Sequence, residues 1–441
     1  MVLIYGKGKV WNSLKEFCDY MKIDSEIKDD SDDIKDFWIY EKIIASPWIP
    51  PTNKIYKTWK VTWDLDFCYP YLPEWFRIIS ITWTDWKSTT AWIIYNILKQ
   101  ELEWKENLKE RKEEISETGN CLIVWKKWVF LSGNFDEPFS KTVLEINKKW
   151  LRAWFIVVEI SSFMAFNIEQ FSSDYSIFTN FETDHLNWHK DMDEYFESKL
   201  KIFRNTSRKS IVNLQVLNKA KELWLNFNLD NVRFFWSDNE LKDRVEDSDI
   251  IVSWRKKINV KETNFRGPYN ALNILSSVLV GNEMWICFKR MKNYLKNIYW
   301  LAHRIEFYKE INWIRFIDDS KSTSAQSLKA ALETFDDWKI ILIAGWSDKW
   351  DKFDHLWEII KNKVKHAELI WQTKEVIWKV FADHKISFHY SESMDEAVSE
   401  AYKKSSKWDI VLLSPGCASF WLFKDYLDRA DKFKEAINNI K

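Results

Sequence analysis

The chain has 441 residues, and its 65 lysine and arginine residues nearly balance its 66 aspartate and glutamate residues. This length is enough for two to four domains. The balanced charge excludes a global field that would draw the protein to nucleic acid or to an acidic membrane, and no apolar run is long enough to predict membrane insertion. The five cysteines form no CxxC pair, which favours reduced thiols in the cytoplasm over a disulfide framework or a zinc knuckle.

The glycine and tryptophan contents are abnormal, because the chain contains 8 glycines and 29 tryptophans. An average glycine share of about 7% would give roughly 31 glycines. The combined number of glycines and tryptophans is close to this share plus a small tryptophan content. Several tryptophans stand in polar turn sequences such as Asn312-Trp313 and Lys407-Trp408-Asp409, where a positive φ favours glycine. We infer that many of these codons are UGA, read as glycine by the source cell. The alternative, a tryptophan-rich protein, would place its indoles at core positions.

Apolar runs typical of strands alternate along the chain with amphipathic stretches typical of helices. The predicted strands are Val2–Tyr5, Ile43–Ala45, Arg77–Thr82, Phe155–Glu159, Tyr175–Thr179, Ile211–Val212, Ile340–Ala344 and Ile410–Ser414. The predicted helices include Ser88–Gln100, Met192–Phe203, Asn270–Val280 and Ser324–Phe335. Short apolar strands that alternate with such helices predict an α/β fold with largely parallel sheets.

Two segments predict domain boundaries. The first is the proline-rich segment Tyr69–Pro73, which precedes a strong strand, and the second lies near Lys289–Trp300. The predicted domains therefore cover residues 1–70, 71–299 and 300–441. Residues 99–118 carry 12 charges in 20 positions and predict a solvated helical insert.

The strongest functional motif lies between residues 77 and 90. As written, the indoles of Trp83 and Trp86 would fill the space that phosphates need. With glycine at both positions the segment reads RIISITGTDGKSTT: a strand, a tight loop of backbone N–H groups, a lysine, a hydroxyl and a helix N-terminus. These parts bind a triphosphate and Mg²⁺ through oriented amides, the helix dipole and one fixed cation. The longer GxxxxGK[ST] spacing does not apply, because position 81 is isoleucine.

The restored TGTxGK[ST] loop resembles that of Mur ligases and folylpolyglutamate synthases, and the resemblance to Mur ligases extends over most of the chain. It implies an α/β protein of three domains: a Rossmann-like UDP-binding domain, a central P-loop ATPase domain with a mostly parallel sheet, and a C-terminal Rossmann-like domain. It also implies ATP as cofactor. The implied ATP contacts in the loop are Thr84, Asp85, Lys87, Ser88 and Thr89, with Lys87 catalytic, Ser88 also on Mg²⁺, and Asp85 replacing a frequent asparagine.

Two segments resemble the family's metal-binding motifs and imply two Mg²⁺ ions. In VEISSF, Glu159 would bind the first ion and Ser162 the substrate. In TNFETDHL, His185 would bind a second ion together with Lys199, which the resemblance implies is carbamylated and which we predict, with His185, to be catalytic. Read alone, Glu159 fits a ligand site or a helix N-cap about equally. Lys199 alone reads as a solvated helix lysine, and its spacing of fourteen residues from His185 reverses that reading.

Further segments resemble the nucleotide- and substrate-binding motifs, among them GPYN, HRIE and DDSKST. Tyr269 stands in GPYN where the family has histidine. The implied nucleotide contacts are Asn270, Asn273, Asp319 and the catalytic Arg304. The implied substrate contacts are Asn134, Lys321, Thr323, Lys349, Ser414 and Phe423.

The segment LLSPGCASF is most similar to the branch of the family that adds D-glutamate. By this resemblance Lys349 and Ser414 hold the two glutamate carboxylates, with Phe423 beside them. A GxCxS nucleophile is the rival interpretation of Cys417, but no histidine and aspartate accompany it, so we interpret Cys417 as a packing residue.

The amino-terminal turn GKGKVW becomes GxGxxG if Trp11 is glycine, and SPWIP becomes SPGIP if Trp48 is glycine. The family resemblance implies that these turns hold uridine diphosphate. A dinucleotide fingerprint is the alternative, but the acidic residue expected about 20 positions later is ambiguous among Asp24, Asp29 and Asp30.

The resemblance as a whole predicts a monomeric, cytoplasmic, ATP-dependent amide-forming ligase of peptidoglycan precursor synthesis. It would join D-glutamate to UDP-N-acetylmuramoyl-L-alanine through an acyl phosphate. One alternative is another Mur ligase or a folylpolyglutamate synthase, which would share the phosphate loop but not LLSP(G/A)CASF. The other, if the tryptophans are literal, is a catalytically silent binding protein.

Overall fold

A computed structural model describes most of the chain and divides it into two compact units. The residues outside the description are Lys7, Asp30, Asp33, Lys35, Trp48, 83–86, 114–127, 135–136, 150–154, 182–184, Asn187, 224–230, 238–239, Arg266, Ser324, 336–338, 346–355, 371–385, 417–422 and Lys441. The first unit comprises residues 1–263 and 272–298, and the second comprises 264–271 and 299–441. Among the described helices, none combines the length and the apolar character needed to cross a bilayer.

The amino-terminal part of the first unit is a four-stranded parallel sheet in the order β2-β1-β3-β4. Its strands are β1 (Val2–Tyr5), β2 (Ser25–Lys28), β3 (Lys42–Ala45) and β4 (Val61–Thr62), and its helices are α1 (Lys9–Tyr20) and α2 (Asp64–Cys68). Alternate residues of β1 pack into two cores on opposite faces of the sheet, because successive side chains of a strand point to opposite faces. Val2 and Ile4 share a core with α1, while Leu3 and Tyr5 pack with Trp63 on the other face.

The second part of the first unit is a six-stranded parallel sheet in the order β10-β9-β8-β5-β7-β6. Its strands are β5 (Arg77–Thr82), β6 (Val129–Gly133), β7 (Phe155–Glu159), β8 (Ser173–Phe178), β9 (Thr206–Asn213) and β10 (Val232–Phe235). Its helices are α3 (Lys87–Glu113), α4 (Phe139–Lys149), α5 (Ser162–Ala165), α6 (Met192–Arg204), α7 (Leu214–Glu222), α8 (Pro268–Glu283) and α9 (Phe288–Lys296). Helix α8 begins in residues assigned to the second unit.

A small antiparallel sheet completes the first unit. Its strands are β11 (Arg244–Glu246), β12 (Asp249–Val252) and β13 (Lys256–Asn259). The buried Arg233 of β10 donates to both carboxylate oxygens of Asp243 at 2.7 and 2.8 Å, and also to Glu283 at the end of α8. This buried ion-pair network therefore joins the small sheet to α8.

The second unit contains a six-stranded sheet in the order β14-β15-β19-β16-β17-β18, in which only the pair β14–β15 is antiparallel. Its strands are β14 (Glu306–Ile311), β15 (Ile314–Asp318), β16 (Ile340–Gly345), β17 (Val364–Ile370), β18 (Phe388–Ser391) and β19 (Ile410–Leu413). The described helices are α10 (Ala325–Glu333), α11 (Trp357–Lys363), α12 (Met394–Lys404) and α13 (Tyr426–Asn438). The strands β15, β19 and β16 are parallel neighbours, so their carboxyl ends lie along one edge.

The α/β prediction with largely parallel sheets is confirmed, and Val2–Tyr5, Arg77–Thr82 and Phe155–Glu159 have the predicted bounds. The charged segment from residue 99 continues α3 to Glu113. It is not wholly solvated as predicted, because Glu101 is buried and accepts two hydrogen bonds from Arg290 of α9 at 2.8 and 3.0 Å. The division into three domains stays a prediction.

The described tryptophans include two contrasting sets. Five of the twelve described non-glycine residues with positive φ are tryptophans, with φ between 56° and 77° and between 51% and 93% of their surface exposed: Trp59, Trp254, Trp285, Trp313 and Trp408. A bulky side chain in the left-handed region is a genuine outlier. Trp63, by contrast, is fully buried at an ordinary φ of −115°. Trp313 and Trp408 thus have the backbone expected of recoded glycines, while Trp63 has that of a core residue.

Candidate active site

The carboxyl ends of β6 and β7 meet the first turn of α3. Glu159, the last residue of β7, is buried and accepts a hydrogen bond from Ser88 Oγ at 2.8 Å through one oxygen. Its other carboxylate oxygen accepts from Asn134 Nδ2 at 2.8 Å. The structure therefore brings Ser88 and Asn134, which lie 71 and 25 positions from Glu159 in the sequence, into contact with its carboxylate. The N-cap of α5 is Ser161, so the N-cap interpretation of Glu159 is wrong.

Gly133 sets the position of Asn134. Its φ of 91° favours glycine, and a Cβ at this position would lie 2.3 Å from the Glu159 carbonyl oxygen. This close approach allows the Asn134 N–H to donate to that carbonyl at 2.8 Å. The turn between β6 and α4 thus holds the Asn134 amide against Glu159.

The donor set around Glu159 fits Mg²⁺, which prefers carboxylate and other oxygen ligands. Ser88 is buried, as are the neighbouring hydroxyls of Thr82 and Thr90, whose oxygens have no hydrogen-bond partner among the described atoms. Lys87 and Thr89 occupy the first turn of α3, so the start of a helix faces this cluster. The predicted loop residues Thr84 and Asp85 lie outside the described residues, as do Trp83 and Trp86.

A second cluster surrounds Lys199 on α6. Lys199 is almost fully buried, and its Nζ lies 4.6 Å from the centre of the Tyr195 ring. The His185 ring lies 6.0 Å from the same ring and 4.5 Å from that of Phe163. The interpretation of Lys199 as a solvated helix lysine is therefore wrong. Both predicted metal ligands therefore lie next to Tyr195. An imidazole and a buried lysine nitrogen, once carbamylated, would supply donors that fit a hard cation.

His189 belongs to this cluster, although the sequence analysis did not single it out. It is buried, stacks on Phe163 and has its Nε2 3.0 Å from the hydroxyl of Ser162. Burial lowers the pKa of His189 to about 4. The charge of Glu194 acts to raise this pKa, and the charge of Lys199 acts to lower it further. The imidazole is therefore neutral at physiological pH and orients Ser162. The spacing of four residues from His185 is the signal that could have revealed it.

Asn270 and Asn273 lie near the start of α8 and are both buried. Residues three apart on a helix share one face, so the two amides lie on the same side of α8. Gly267, which precedes the helix, has a φ of 84°, and a Cβ there would approach Thr334 Oγ1 to 3.1 Å. Glycine at this position is therefore what the entry into α8 requires.

In the second unit, Asp319 directly follows β15 and is fully buried. One of its carboxylate oxygens accepts from Ser414 Oγ at 2.8 Å, and the other accepts from the N–H of Ile305 at 3.2 Å. The Asp319 N–H donates to Leu413 O at 2.8 Å. The structure thus joins Asp319, Ser414 and the segment after Arg304 at the carboxyl edge of β15 and β19. The Ser414 hydroxyl pairs here with Asp319.

Asp319 gives the folded chain a defined pH dependence. Burial raises the pKa of Asp319 to about 7, although the charge of Arg304 and the hydrogen bond from Ser414 act to lower it. An unfolded aspartate titrates near 4, so between about pH 4 and 7 the folded chain holds a proton that the unfolded chain releases. Stability therefore falls as pH rises through this window.

We expect Asp319→Asn to remove this dependence. The amide keeps the side-chain shape and carries no charge, so the variant should gain on the order of 2–4 kcal/mol over wild type at pH 8 and little at pH 4. Thermal unfolding of both proteins without ligand, across pH 4–8, measures the difference. Parallel pH profiles for the two proteins would contradict the buried, protonated state of Asp319.

Lys321 and Thr323 lie in the same loop. The Lys321 N–H donates to His303 O at 3.1 Å, and its Nζ lies 5.2 Å from the centre of the Tyr426 ring. Thr323 is exposed. Phe423 packs at the margin of the core beneath α12 and α13. Lys349, which is predicted to follow β16, lies outside the described residues together with Trp346, Cys417 and Trp421.

One acidic cluster in this unit is paired with a lysine side chain. His303, Glu306 and Asp318 have ligand atoms within 4.8 Å of one another. Lys434 Nζ lies 3.1 Å from Glu306 and 3.3 Å from Asp318. Burial lowers the pKa of Lys434, but the two carboxylates outweigh it and raise the pKa above its usual value. The lysine therefore supplies the positive charge here, and we interpret the cluster as structural.

The turn after β1 carries Gly6 and Gly8, both at positive φ. The indole of Trp11 is buried against this turn, because a Cβ on Gly6 would lie 2.4 Å from Trp11 Nε1. That nitrogen has no hydrogen-bond partner among the described atoms. Glycine at position 11 would uncover the backbone of the turn.

The parallel α/β sheets, with buried polar groups at the carboxyl ends of their strands, define an α/β protein with a ligand site at those strand ends, and sequence comparison gives the family. Residues 81–281 match the Mur ligase middle domain, and residues 303–417 match the Mur ligase glutamate ligase domain. The chain belongs to the Mur ligase family, whose members are ATP-dependent amide-bond-forming enzymes.

Individual relatives agree with this assignment. The chain is 30% identical to the UDP-N-acetylmuramoylalanine--D-glutamate ligase of Aquifex aeolicus, over 90% of this chain and 88% of that protein. It is 29% identical to the enzyme of the same name from a Hydrogenobaculum species, over 99% and 98% of the two chains. The MurF ligase of Thermotoga maritima in complex with ADP has a similar fold, with a TM-score of 0.59, 13% identity and coverage of 99% and 95%.

Proposed function

We propose that this enzyme joins the amino group of D-glutamate to the carboxyl group of UDP-N-acetylmuramoyl-L-alanine at the expense of ATP. The single observation that carries the proposal is the likeness over nearly the whole chain to relatives named for this reaction. The Ser88–Glu159–Asn134 cluster supports it, because the family's metal and phosphate motifs meet there. We further propose that the enzyme works in the cytoplasm as a monomer.

The reaction has two steps. A carboxylate oxygen of the nucleotide sugar attacks the γ-phosphorus of ATP, the bond to the β–γ bridging oxygen breaks, and ADP leaves. The free amine nitrogen of D-glutamate then attacks the acyl carbon, the bond to the phosphate oxygen breaks, and inorganic phosphate leaves. The nitrogen releases one proton and keeps the other as the amide N–H. Water must be excluded, because it would hydrolyse the acyl phosphate.

In the first unit, we propose that the phosphate loop and α3 bind the triphosphate. Thr84, Asp85 and Thr89 contribute loop and helix contacts, and Lys87 neutralises the charge that develops on the transferred group. Ser88 and Glu159 hold one Mg²⁺, and His185 with carbamylated Lys199 holds a second. When bound, the two ions supply positive charge to the phosphate oxygens. Asn134, supported by Gly133, and Ser162, oriented by His189, contact the substrate.

The remaining contacts are proposed from the family motifs. Asn270 and Asn273 bind near the adenine, and Arg304 and Asp319 hold the nucleotide. Lys321 and Thr323 face the reacting groups, and Lys349, Ser414 and Phe423 bind D-glutamate. Residues 1–70 form the UDP-binding domain, residues 71–299 the ATP-binding domain and residues 300–441 the amino-acid-binding domain. The carbamate, the ion count and these roles rest on the resemblance and on the geometry above.

We also propose that the active protein carries glycine where tryptophan is written at turn positions. The five exposed tryptophans with positive φ support this, because a Cβ is costly there. The catalytically silent binding protein remains the alternative if the indoles of Trp83 and Trp86 are literal. The term glycine form below means the chain with glycine at Trp11, Trp48, Trp59, Trp83, Trp86, Trp254, Trp285, Trp313, Trp338, Trp346, Trp350, Trp408 and Trp421.

Substrate specificity is tested at the two proposed glutamate contacts. In the glycine form, Lys349→Ala and Ser414→Ala should each raise the KM for D-glutamate by about tenfold to a hundredfold, because each removes a hydrogen bond to a charged carboxylate. The KM for ATP should change by less than about threefold on the same reasoning. Steady-state kinetics with each substrate varied measures both constants. An equal rise for both substrates would point to a damaged second unit and contradict the assignment.

A further inference from the structure

Ser320 lies between the proposed nucleotide contact Asp319 and the proposed substrate contact Lys321, and it is fully buried. Its N–H donates to Asp318 Oδ1 at 2.9 Å, and its hydroxyl donates to the carbonyl of Tyr426 at 2.8 Å. The Ser320 hydroxyl and carbonyl also accept one hydrogen bond each from Arg429, so its N–H, hydroxyl and carbonyl all have partners. The loop is fixed at this residue from two sides, by β15 and by α13.

Arg429 on α13 is fully buried and provides those two bonds. Its Nε donates to Ser320 Oγ at 3.0 Å, and its Nη2 donates to Ser320 O at 2.6 Å. A planar guanidinium can donate hydrogen bonds to a hydroxyl and a carbonyl in fixed directions, and a lysine ammonium cannot reproduce this geometry. Burial of a charged group is costly, and an apolar residue of similar volume often serves a core equally well. The specific effect of Arg429 is therefore to hold the main chain of Ser320 in place.

The first turn of α13 also reaches Lys321. The Tyr426 ring lies beneath Lys321 Nζ at 5.2 Å, within range of a cation–π interaction. The start of α13 is itself fixed, because the Asp425 side chain accepts hydrogen bonds from the N–H groups of Leu427 and Asp428, both at 2.9 Å. Helix α13 thus holds the Lys321 backbone through Arg429 and its side chain through Tyr426.

We propose that Arg429 and Tyr426 are positioning residues for the ligation reaction, which fix Lys321 for contact with the substrate. This inference rests on the proposed function, because it takes the role of Lys321 from there. The inference assigns a role in the reaction to helix α13, which lies more than a hundred residues after the loop that contains Ser320 and Lys321.

The test is a double-mutant cycle in the glycine form with Arg429→Lys and Lys321→Ala. Arg429→Lys keeps the charge and should lower kcat/KM by roughly tenfold to a hundredfold, since a small misplacement of a contact has effects of that size. In the Lys321→Ala background the same change should cost less than about twofold, because the residue it positions is gone. Lys432→Ala, which removes an exposed lysine of the same helix, is the matched control and should leave kcat/KM unchanged.

The outcomes separate this inference from the proposed function. Full activity of Lys321→Ala would overturn the role of Lys321 itself. An impaired Lys321→Ala with an unimpaired Arg429→Lys would overturn the positioning role, as would an equal fold-loss from Arg429→Lys in both backgrounds, which marks a general loss of folded protein. If Arg429→Lys does not fold, Ser320→Ala decides. We expect it to lower kcat/KM while the protein stays folded, with a lower melting temperature because the buried guanidinium loses an acceptor. Full activity of the folded variant would overturn the inference.

Discussion

Replacing Lys199 by alanine in the glycine form is expected to lower the rate of ligation by roughly a hundredfold to a thousandfold, the usual cost of losing one group that stabilises developing charge. Lys199 is almost fully buried, and both its Nζ and the His185 ring lie next to the Tyr195 ring, at 4.6 and 6.0 Å from its centre. A carbamate at this nitrogen would supply the oxygen ligand that the proposed second Mg²⁺ requires. The variant leaves a cavity, which a short carboxylic acid can enter.

The rescue experiment distinguishes a missing ligand from a damaged fold. Added acetate or formate should restore part of the activity of Lys199→Ala, while the melting temperature stays near that of the parent. Lys201→Ala is the matched control, since Lys201 lies on the same helix and donates to the carbonyl of Phe166. It should retain activity within a few-fold. Undiminished activity of Lys199→Ala, or equal losses in both variants, would contradict the carbamate.

Glycine at the exposed left-handed tryptophans is expected to stabilise the chain. Trp59 and Trp285 are 92% and 93% exposed at φ of 56° and 61°, so their indoles contribute little packing. Trp59→Gly and Trp285→Gly should each raise the free energy of unfolding by about 1 kcal/mol, the lower end of the cost of a left-handed L-residue. Trp63→Gly should lower it by roughly 3–5 kcal/mol, because this indole fills a core.

Alanine variants provide the control for this prediction. Trp59→Ala and Trp285→Ala also remove the indole but keep a Cβ, so they should give little or none of the gain. Urea unfolding curves of the written chain and each variant measure the differences. Equal effects of glycine and alanine would contradict backbone strain as the cause. The protein isolated from its source cell should, by the same account, weigh less than the 53.4 kDa of the written chain by one indole side chain per recoded site.

Several elements of the fold are predictable because local pattern and tertiary environment agree. Val2–Tyr5 and Arg77–Thr82 are short apolar runs, and each forms a buried parallel strand with those bounds. The antiparallel strands between Arg244 and Asn259 have only three or four residues and mix charged with apolar positions, so no periodicity marks them. The network around Arg233 lies beside these strands and involves residues that only the folded chain brings together.

Buried charged residues set the limit of sequence analysis at the site. Arg429 stands in a helix with Asp428, Asp431 and Lys432 as neighbours, so its sequence reads as a solvated face, yet its side chain is fully buried against Ser320. Lys199 reads the same way without the family motif. Burial of such groups depends on which hydrogen-bond partners the tertiary fold brings to them, and spacing along the chain does not encode that.

The most direct measurement supplies the glycine form with ATP, Mg²⁺ and UDP-N-acetylmuramoyl-L-alanine, and offers D-glutamate, L-glutamate, L-alanine or L-lysine in parallel reactions. Mass spectrometry of the nucleotide-sugar product and a count of ADP released give the outcome. The account predicts one amide product, formed only with D-glutamate, with one ADP and one phosphate for each bond. A product with another amino acid, or none with D-glutamate from a folded protein that binds ATP, would contradict it.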